Sequence, residues 1–229
     1  MFPVIILAGG LATRLRPITE EIPKAMLDIA GRPFIDHQLN LLKKKGIENV
    51  ILCVGHLGEM IEAHVKNGSA YNLQVTYSYD GDKLLGTGGA LKNIGDKLPD
   101  TFFVLYGDSY LDIDYQKVEN AYRLSGKKAL MTVYKNEGRW DSSNVIFKNN
   151  ELIRYSKKDK TEDMNYIDYG LGILSKSVLI EHPACDAFDL ADIYEELSEK
   201  NELFGFEVFE RFYEIGSPQG LEDLRKKIG

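Results

Sequence analysis

A chain of 229 residues has room for one α/β domain with a full core, so a single domain over residues 1–229 is expected. A hydrophobic content of 44% with 28% charged residues is that of a soluble globular protein and names no function. The net charge of −7 argues against a nucleic-acid partner, because phosphate backbones are bound by basic surfaces. No apolar run approaches the roughly 18 residues of a membrane helix, and the short N-terminal apolar stretch lacks the basic start of a signal peptide. Cys53 and Cys185 show neither metal-ligand spacing nor a disulfide framework. A cytoplasmic protein with no membrane partner and simple thiols is expected, and a homo-oligomer is left open.

The first half alternates strand and helix. Phe2 to Leu7 reads as a buried strand, Pro33 to Lys45 as a helix with Ile35, Leu39 and Leu42 on one face, and Asn49 to Val54 as the next strand. Leu57, Met60, Ile61 and Val65 mark a second helix ended by Asn67-Gly68. Leu73 to Tyr79 alternates as a strand, Gly89 to Lys97 reads as a short helix, and Thr101 to Tyr106 is another apolar strand. Strands separated by single helices imply a mainly parallel sheet with right-handed crossovers. The second half changes rhythm. Ala129 to Tyr134, Ser143 to Phe147, Glu151 to Ser156, Tyr166 to Leu174 and Leu203 to Val208 read as shorter strands of an antiparallel or mixed addition, followed or interrupted by helices at Leu190 to Lys200 and Pro218 to Ile228.

The most informative stretch is Leu7 to Phe34, LAGGLATRLRPITEEIPKAMLDIAGRPF. Gly9 and Gly10 let backbone N–H groups approach an anion with no Cβ in the way. Arg14, Arg16 and Lys24 follow, interrupted by Pro17 and Pro23, and are free to converge on charge. Neither the dinucleotide fingerprint nor the P-loop pattern is present. The combination of Ala8-Gly9-Gly10, Thr13-Arg14-Leu15-Arg16-Pro17 and Pro23-Lys24 resembles the nucleotidyltransferases that make nucleotide-sugars from a nucleoside triphosphate and a sugar 1-phosphate. Ala12 and Ala25 depart from that family's usual Gly and Pro, without removing a charged group.

The resemblance covers nearly the whole chain. It implies a Rossmann-like, GT-A type α/β fold: a mixed, mostly parallel central sheet flanked by helices, with a small antiparallel sugar-binding addition. Residues 1–125 would be mainly the nucleotide-binding half and residues 126–229 mainly the sugar-phosphate-binding half. Leu7, Ala8, Gly9, Gly10 and Thr13 would cradle the nucleotide, with Arg14 on the departing phosphates and Lys24 between the α-phosphate and the sugar phosphate. Leu84 to Ala90 is a second glycine-rich loop; glycine there forms a turn in any reading, and the resemblance places Gly86, Thr87 and Gly88 on the base and ribose. Its Gly-Thr-Gly-Gly form is similar to the branch of heptose 1-phosphate guanylyltransferases and muramate 1-phosphate uridylyltransferases, so GTP or UTP is the expected donor.

Asp108 emerges at the end of the strand Thr101 to Tyr106, either as a turn carboxylate or as a ligand site. Mg²⁺ in phosphoryl-transfer sites takes one or two carboxylates plus phosphates, and the resemblance assigns Mg²⁺ to Asp108 and to Glu214, where the family usually carries Asp. Asn144, Lys157, Asp168, Tyr169 and Gly170 are the implied sugar-phosphate residues. Trp140 and Asp141 either close over the sugar or are exposed loop residues. Two rivals remain: a metal-dependent glycosyltransferase, for which Asp112-Ile113-Asp114 has the spacing, and a catalytically inactive regulatory relative, which should have lost Arg14, Lys24 and Asp108.

Overall fold

The computed structural model describes every residue except Asp82, Glu137, Asp141, Ala184, Cys185 and Asp186. In chain order the strands and α-helices are β1 (Val4–Leu7), α1 (Ile18–Glu21), β2 (Asp28–Ile29), β3 (Arg32–Pro33), α2 (Phe34–Lys44), β4 (Asn49–Val54), α3 (Gly58–Val65), β5 (Gln74–Tyr79), α4 (Gly86–Asn93), β6 (Thr101–Tyr106), β7 (Ser109–Tyr110) and α5 (Tyr115–Ser125). They continue as β8 (Ala129–Lys135), β9 (Val145–Lys148), β10 (Glu151–Tyr155), β11 (Tyr166–Ser175), α6 (Lys176–Glu181), α7 (Leu190–Glu199), β12 (Leu203–Val208), β13 (Tyr213–Glu214) and α8 (Pro218–Ile228).

One sheet of nine strands organises the chain. Its first half runs β5-β4-β1-β6 and is wholly parallel, with Val4 opposite Val50 on one side and Phe103 on the other. Ten-residue β11 then pairs antiparallel with β6 through Leu171–Ser175 and with β8 over Tyr166–Leu174; β12 lies parallel to β8, and β9 and β10 attach near Tyr166. The antiparallel strands thus continue the same sheet.

Successive side chains of a strand point to opposite faces, and the central strands divide their residues accordingly. Val4, Ile6, Leu52, Val54, Phe103 and Leu105 pack with α2, α3 and α5 through Leu39, Ile61 and Val118. Ile5, Ile51, Cys53, Phe102 and Val104 pack with α4, α6 and α7 through Leu91, Leu179 and Ile193. The result is a three-layer α/β/α domain. A third, smaller core of Leu15, Leu27, Ile29, Phe34, Ile215, Leu221 and Leu224 lies under α8 and fastens the loop after β1 to the C-terminal segment.

Two details differ from the sequence reading. The helix expected from Gly89 starts at Gly86, so the second glycine loop forms the first turn of α4, and a separate 3₁₀ turn covers Gly95–Lys97. Helices α5 and α6 were not anticipated.

Candidate active site

Ligands in open α/β sheets bind beyond the carboxyl ends of the strands, and there the chain opens a cleft of ≈ 220 Å³. Leu7 to Gly10 line it from the end of β1 onward, Cys53 within β4, Asp80 after β5, Gly86, Thr87 and Ala90 from α4, Tyr106 to Asp108 from the end of β6 onward, and Lys24 and Ala25 from the loop. The first glycine pair is used in two ways. A Cβ on Gly9 would meet Asp80 Oδ2 at 3.1 Å and the Gly55 nitrogen at 3.2 Å, whereas one on Gly10 would meet nothing within 4 Å. Gly9 therefore allows close packing across the strand ends, and Gly10 leaves its backbone open to a ligand.

Beyond Gly10 the chain tightens into a 3₁₀ turn, Thr13–Leu15, whose Leu15 is buried in the third core. Ala12 enters this turn with φ 48°, in the left-handed region, which explains why glycine is usual there. Burial of Leu15 leaves Arg14 exposed. Thr13 is also exposed and stands outside the cleft lining.

Lys24 Nζ lies 2.9 Å from Asp108 Oδ2, an ion pair in which both side chains are mostly buried. Glu214 arrives from the far end of the chain because β13 pairs antiparallel with β7, setting Glu214 opposite Ser109, the residue after Asp108. Its Oε1 accepts from Ser217 Oγ at 2.7 Å and its Oε2 accepts from the Gly216 N–H. A Cβ built on Gly216 would meet Glu214 Oε2 at 2.5 Å, Arg14 Nη2 at 2.9 Å and Asp108 Oδ2 at 3.2 Å. Arg14, Asp108 and Glu214 thus converge on one small gap that only glycine keeps open, although they are far apart in sequence. No group of three Asp, Glu, His or Cys residues suited to a metal occurs among the described residues. Asp108 and Glu214 are hard oxygen donors of the kind that could hold a Mg²⁺ together with substrate phosphate.

The second glycine loop is held from outside. Gly88 and Gly89 donate to the Phe188 carbonyl at 3.0 and 3.3 Å, and Phe188 N–H donates to Leu85 O at 3.0 Å. A Cβ on Gly86, at φ +71°, would lie 2.5 Å from Phe188 O, and one on Gly88 would lie 2.2 Å from the Phe188 ring. Both glycines make room for Phe188; Gly86 also lines the cleft and Gly88 does not. Thr87 donates its hydroxyl to Asp189 Oδ1 and accepts from Leu190 N–H, each at 2.8 Å.

The residues expected at the sugar phosphate divide into three groups. Lys157 Nζ pairs with Asp189 at 3.2 Å. Asp168 is next to it, at a shift of the β11/β8 register that Gly170 allows with φ +99°. Burial pushes the Asp168 carboxyl up to about 6, against the lowering effects of the Gly170 N–H and of Lys157. Tyr106 links this region to the cleft. Its hydroxyl is buried without a partner and is held well above its usual range by burial and then by the Asp168 charge.

Asn144 holds the strand end by accepting from Asp168 N–H through Oδ1 at 2.9 Å. Tyr169, by contrast, points to the other face of β11, 2% exposed in the main core, with its ring against Tyr134 and Phe212. Alternation along the strand places Asp168 and Tyr169 on opposite faces, so Tyr169 is a packing residue. Trp140 lies under the Arg211 guanidinium, 3.9 Å from the ring centroid, and against Phe212. Asp141 and Cys185 lie outside the described residues. Cys53 is an inert buried thiol, pushed up to about 12 by burial and then by Asp80.

Asp80 was missed in the sequence, where it is one carboxylate in a polar loop. The only early signal was its position directly after strand β5. Its N–H donates to Val54 O at 3.0 Å, which fixes the side chain at the end of the cleft away from Asp108. Burial raises its carboxyl above the usual range, against the Leu85 N–H.

A parallel strand-end cleft with cations at one end, a half-buried carboxylate at the other and two acidic groups beside a glycine gap is the site of an open-sheet α/β protein. The chain belongs to the nucleotidyl transferase family, whose model matches residues 3–228. It is 31% identical over 210 residues to a UTP–glucose-1-phosphate uridylyltransferase of Synechocystis, covering 84% of this chain and 54% of that protein. It is 29% identical to a D-glycero-alpha-D-manno-heptose 1-phosphate guanylyltransferase of Campylobacter jejuni, covering 94% of this chain and 95% of that protein. The crystal structure of HddC from Yersinia pseudotuberculosis complexed with GMP-PN superposes with a TM-score of 0.80 at 26% identity, covering all of both chains. The chain spans about three fifths of a Xenopus mannose-1-phosphate guanylyltransferase catalytic subunit beta, 61% of its length.

Proposed function

We propose that the protein transfers a nucleoside monophosphate from a nucleoside triphosphate to a sugar 1-phosphate, giving a nucleotide-sugar and pyrophosphate. The observation that carries this reading is the meeting of Lys24, Asp108, Arg14 and Glu214 at the phosphate end of the cleft. The acceptor needs no activation by a general base, because a phosphate monoester has its second pKa near 6 and is largely dianionic at pH 7. The chain's task is to align two polyanions and offset their charge.

Lys24, held by Asp108, presents its ammonium between the α-phosphate and the incoming sugar phosphate, and Arg14 receives the departing pyrophosphate. Lys157 holds the sugar phosphate from the other side. Asp108 and Glu214 would hold Mg²⁺, which when bound offsets negative charge on the phosphate oxygens.

The base end favours GTP ahead of UTP. The half-buried Asp80 carboxylate can accept from two adjacent N–H donors, which the guanine edge offers at N1 and N2 and uracil does not. Asp80 stands three strand spacings from Asp108, about 14 Å, a span suited to a nucleotide lying with its base at β5 and its phosphates at β6.

The glycosyltransferase reading has less support: Asp112 and Asp114 stand outside the cleft lining, Asp112 Oδ1 paired with Lys45 at 2.6 Å and Asp114 capping α5 by accepting from Lys117 N–H at 3.0 Å. A cytoplasmic location accords with the few cysteines. Pyrophosphate release measured for four nucleoside triphosphates against glucose, mannose and heptose 1-phosphates tests the proposal. Release with no combination, or release of a nucleoside diphosphate instead, would reject it.

A further inference from the structure

Asp189 occupies a position that neither substrate requires. It sits at the N-cap of α7, and its Oδ1 accepts from Ala191 N–H at 3.0 Å, as helix caps do. The same carboxylate accepts the Thr87 hydroxyl at 2.8 Å and the Lys157 ammonium at 3.2 and 3.4 Å. Thr87 lines the nucleotide cleft, and Lys157 is the cation on the sugar-phosphate side. A cap alone needs only the contact to Ala191.

The neighbouring backbone strengthens the tie. Phe188, one residue earlier, bonds Leu85, Gly88 and Gly89 of the nucleotide loop, and Leu190, one residue later, donates to Thr87 Oγ1. Three consecutive residues, 188 to 190, therefore clip the nucleotide loop, and Asp189 carries that clip to Lys157. Lys158 provides an internal contrast. It pairs with Asp192 at 2.7 Å, one turn along α7, and has no contact with the loop.

We infer that Asp189 is a positioning residue that joins Lys157 on the sugar-phosphate side to Thr87 on the nucleotide side, so that the two subsites are ordered as one hydrogen-bonded unit. This rests on the reading of the cleft as a nucleotide site next to a sugar-phosphate site. Lys157 has a third ammonium proton free to meet a phosphate while the other two stay on Asp189. Holding Lys157 in place thereby stiffens the loop that grips the nucleotide. The energy involved is a coupling between sites, which acts equally in both directions.

The tie can be tested first without a ligand. In Lys157→Met the amides of Gly88, Gly89 and Leu190 should exchange with solvent about fivefold faster or more than in the wild type. Those of Lys158→Met should match the wild type. Unchanged exchange in Lys157→Met overturns the inference.

The second measurement is the affinity for α,β-methylene GTP with no sugar present. Lys157→Met should weaken it by about fivefold or more, although Lys157 lies on the other subsite. Asp189→Asn keeps the acceptor for Thr87 and Ala191 but loses the charge facing Lys157, so it should show the same loss. The double variant should be no worse than either single one. Effects that simply add would show two independent roles and overturn the inference. If the wild type binds neither this analogue nor α,β-methylene UTP, the nucleotide reading fails, and the exchange result alone decides whether the tie exists.

Discussion

Ile215 donates its backbone N–H to the carbonyl oxygen of Asp108 across 2.9 Å. This bond extends the ladder of β7 and β13 and makes neighbours of two acidic residues that are 106 positions apart, Asp108 and Glu214. Ile215 is fully buried in the third core with Leu15 and Leu27. The same apolar cluster therefore anchors the neighbours of Arg14 and Glu214, Leu15 and Ile215.

Glu214 and Asp108 should behave as a unit. Glu214→Gln and Asp108→Asn are each expected to lower turnover by about 10²-fold and to raise the Mg²⁺ concentration needed for half-maximal rate. The double variant should be little worse than either single one. Glu214→Asp should keep substantial activity, since it retains the carboxylate. A Mg²⁺ titration of Glu214→Gln that overlays the wild type would leave Glu214 as a fastener of Gly216 and Ser217 only.

Lys24→Ala should lose about 10²-fold or more in turnover, because a charge-assisted contact that strengthens in the transition state is removed. Lys24→Arg should also be poor, as a planar fork does not replace a point charge beside Asp108. Neither change should unfold the protein. Circular dichroism melts run beside single-turnover rates would separate the two effects, and near-normal turnover in the alanine variant would remove Lys24 from the mechanism.

Enlarging the second glycine loop tests what its glycines are for. Sequence reasoning expects Gly86→Ala or Gly88→Ala to weaken the nucleotide more than the sugar phosphate. In the structure an added Cβ at either position collides with Phe188, whose neighbour Asp189 holds Lys157. Both KM values should therefore rise, with a loss of stability of about 1–3 kcal/mol. A rise confined to the nucleotide would show that Phe188 yields without moving Asp189.

The pH dependence of stability should carry the mark of Asp168. Its carboxyl stands at about 6 in the fold, mainly through burial, against an ordinary value of 3.8. Between these values the folded state keeps a proton that the unfolded chain has lost. The contribution is then fully present below about pH 4 and is lost as pH rises through about 6. Asp168→Asn removes the buried charge and keeps an oxygen for the Gly170 N–H. It should be roughly 1–2 kcal/mol more stable than the wild type at pH 8 and indistinguishable near pH 4. Urea unfolding at both pH values is the check, and an equal difference at both would show that the group does not titrate in this range.

Much of the fold was legible because its strands are apolar runs closed by turn residues. Asn49–Val54, Thr101–Tyr106 and Leu203–Val208 occur at the limits read from the sequence, and α8 begins at Pro218 as expected. Helix α5 was not, because among its eleven residues only Tyr115, Val118 and Glu119 are buried, too narrow a stripe to show a helical period. Local motifs placed Arg14, Lys24 and Asp108 near phosphate, and the geometry gathers them. Asp189 and Asp80 were invisible for the opposite reason: each is an ordinary carboxylate beside a turn until sheet order and the 188–190 clip give it neighbours. Tyr169, read beside Asp168 and Gly170 as a sugar-phosphate residue, is 2% exposed in the core, because one step along a strand turns a side chain to the opposite face.

The choice of base gives the most discriminating test, since Asp80 is a single carboxylate lining the cleft at the β5 side, where the proposed function puts the base. Asp80→Asn replaces one acceptor oxygen with a donor and should lower kcat/KM for GTP by about 10²-fold, because a bonded charged group is exchanged for one facing the wrong way. UTP should suffer less, as uracil presents one N–H between two carbonyl oxygens and can pair with an amide. Asp80→Ala should reduce both nucleotides more evenly and leave the KM for the sugar phosphate unchanged, because the residue lies beyond reach of that subsite. The measurement is the ratio of kcat/KM values for GTP and UTP across the three proteins. A ratio that stays constant would mean that Asp80 only supports Gly9 and Leu85, and that base selection lies in the backbone of the loop at Leu84 to Gly86.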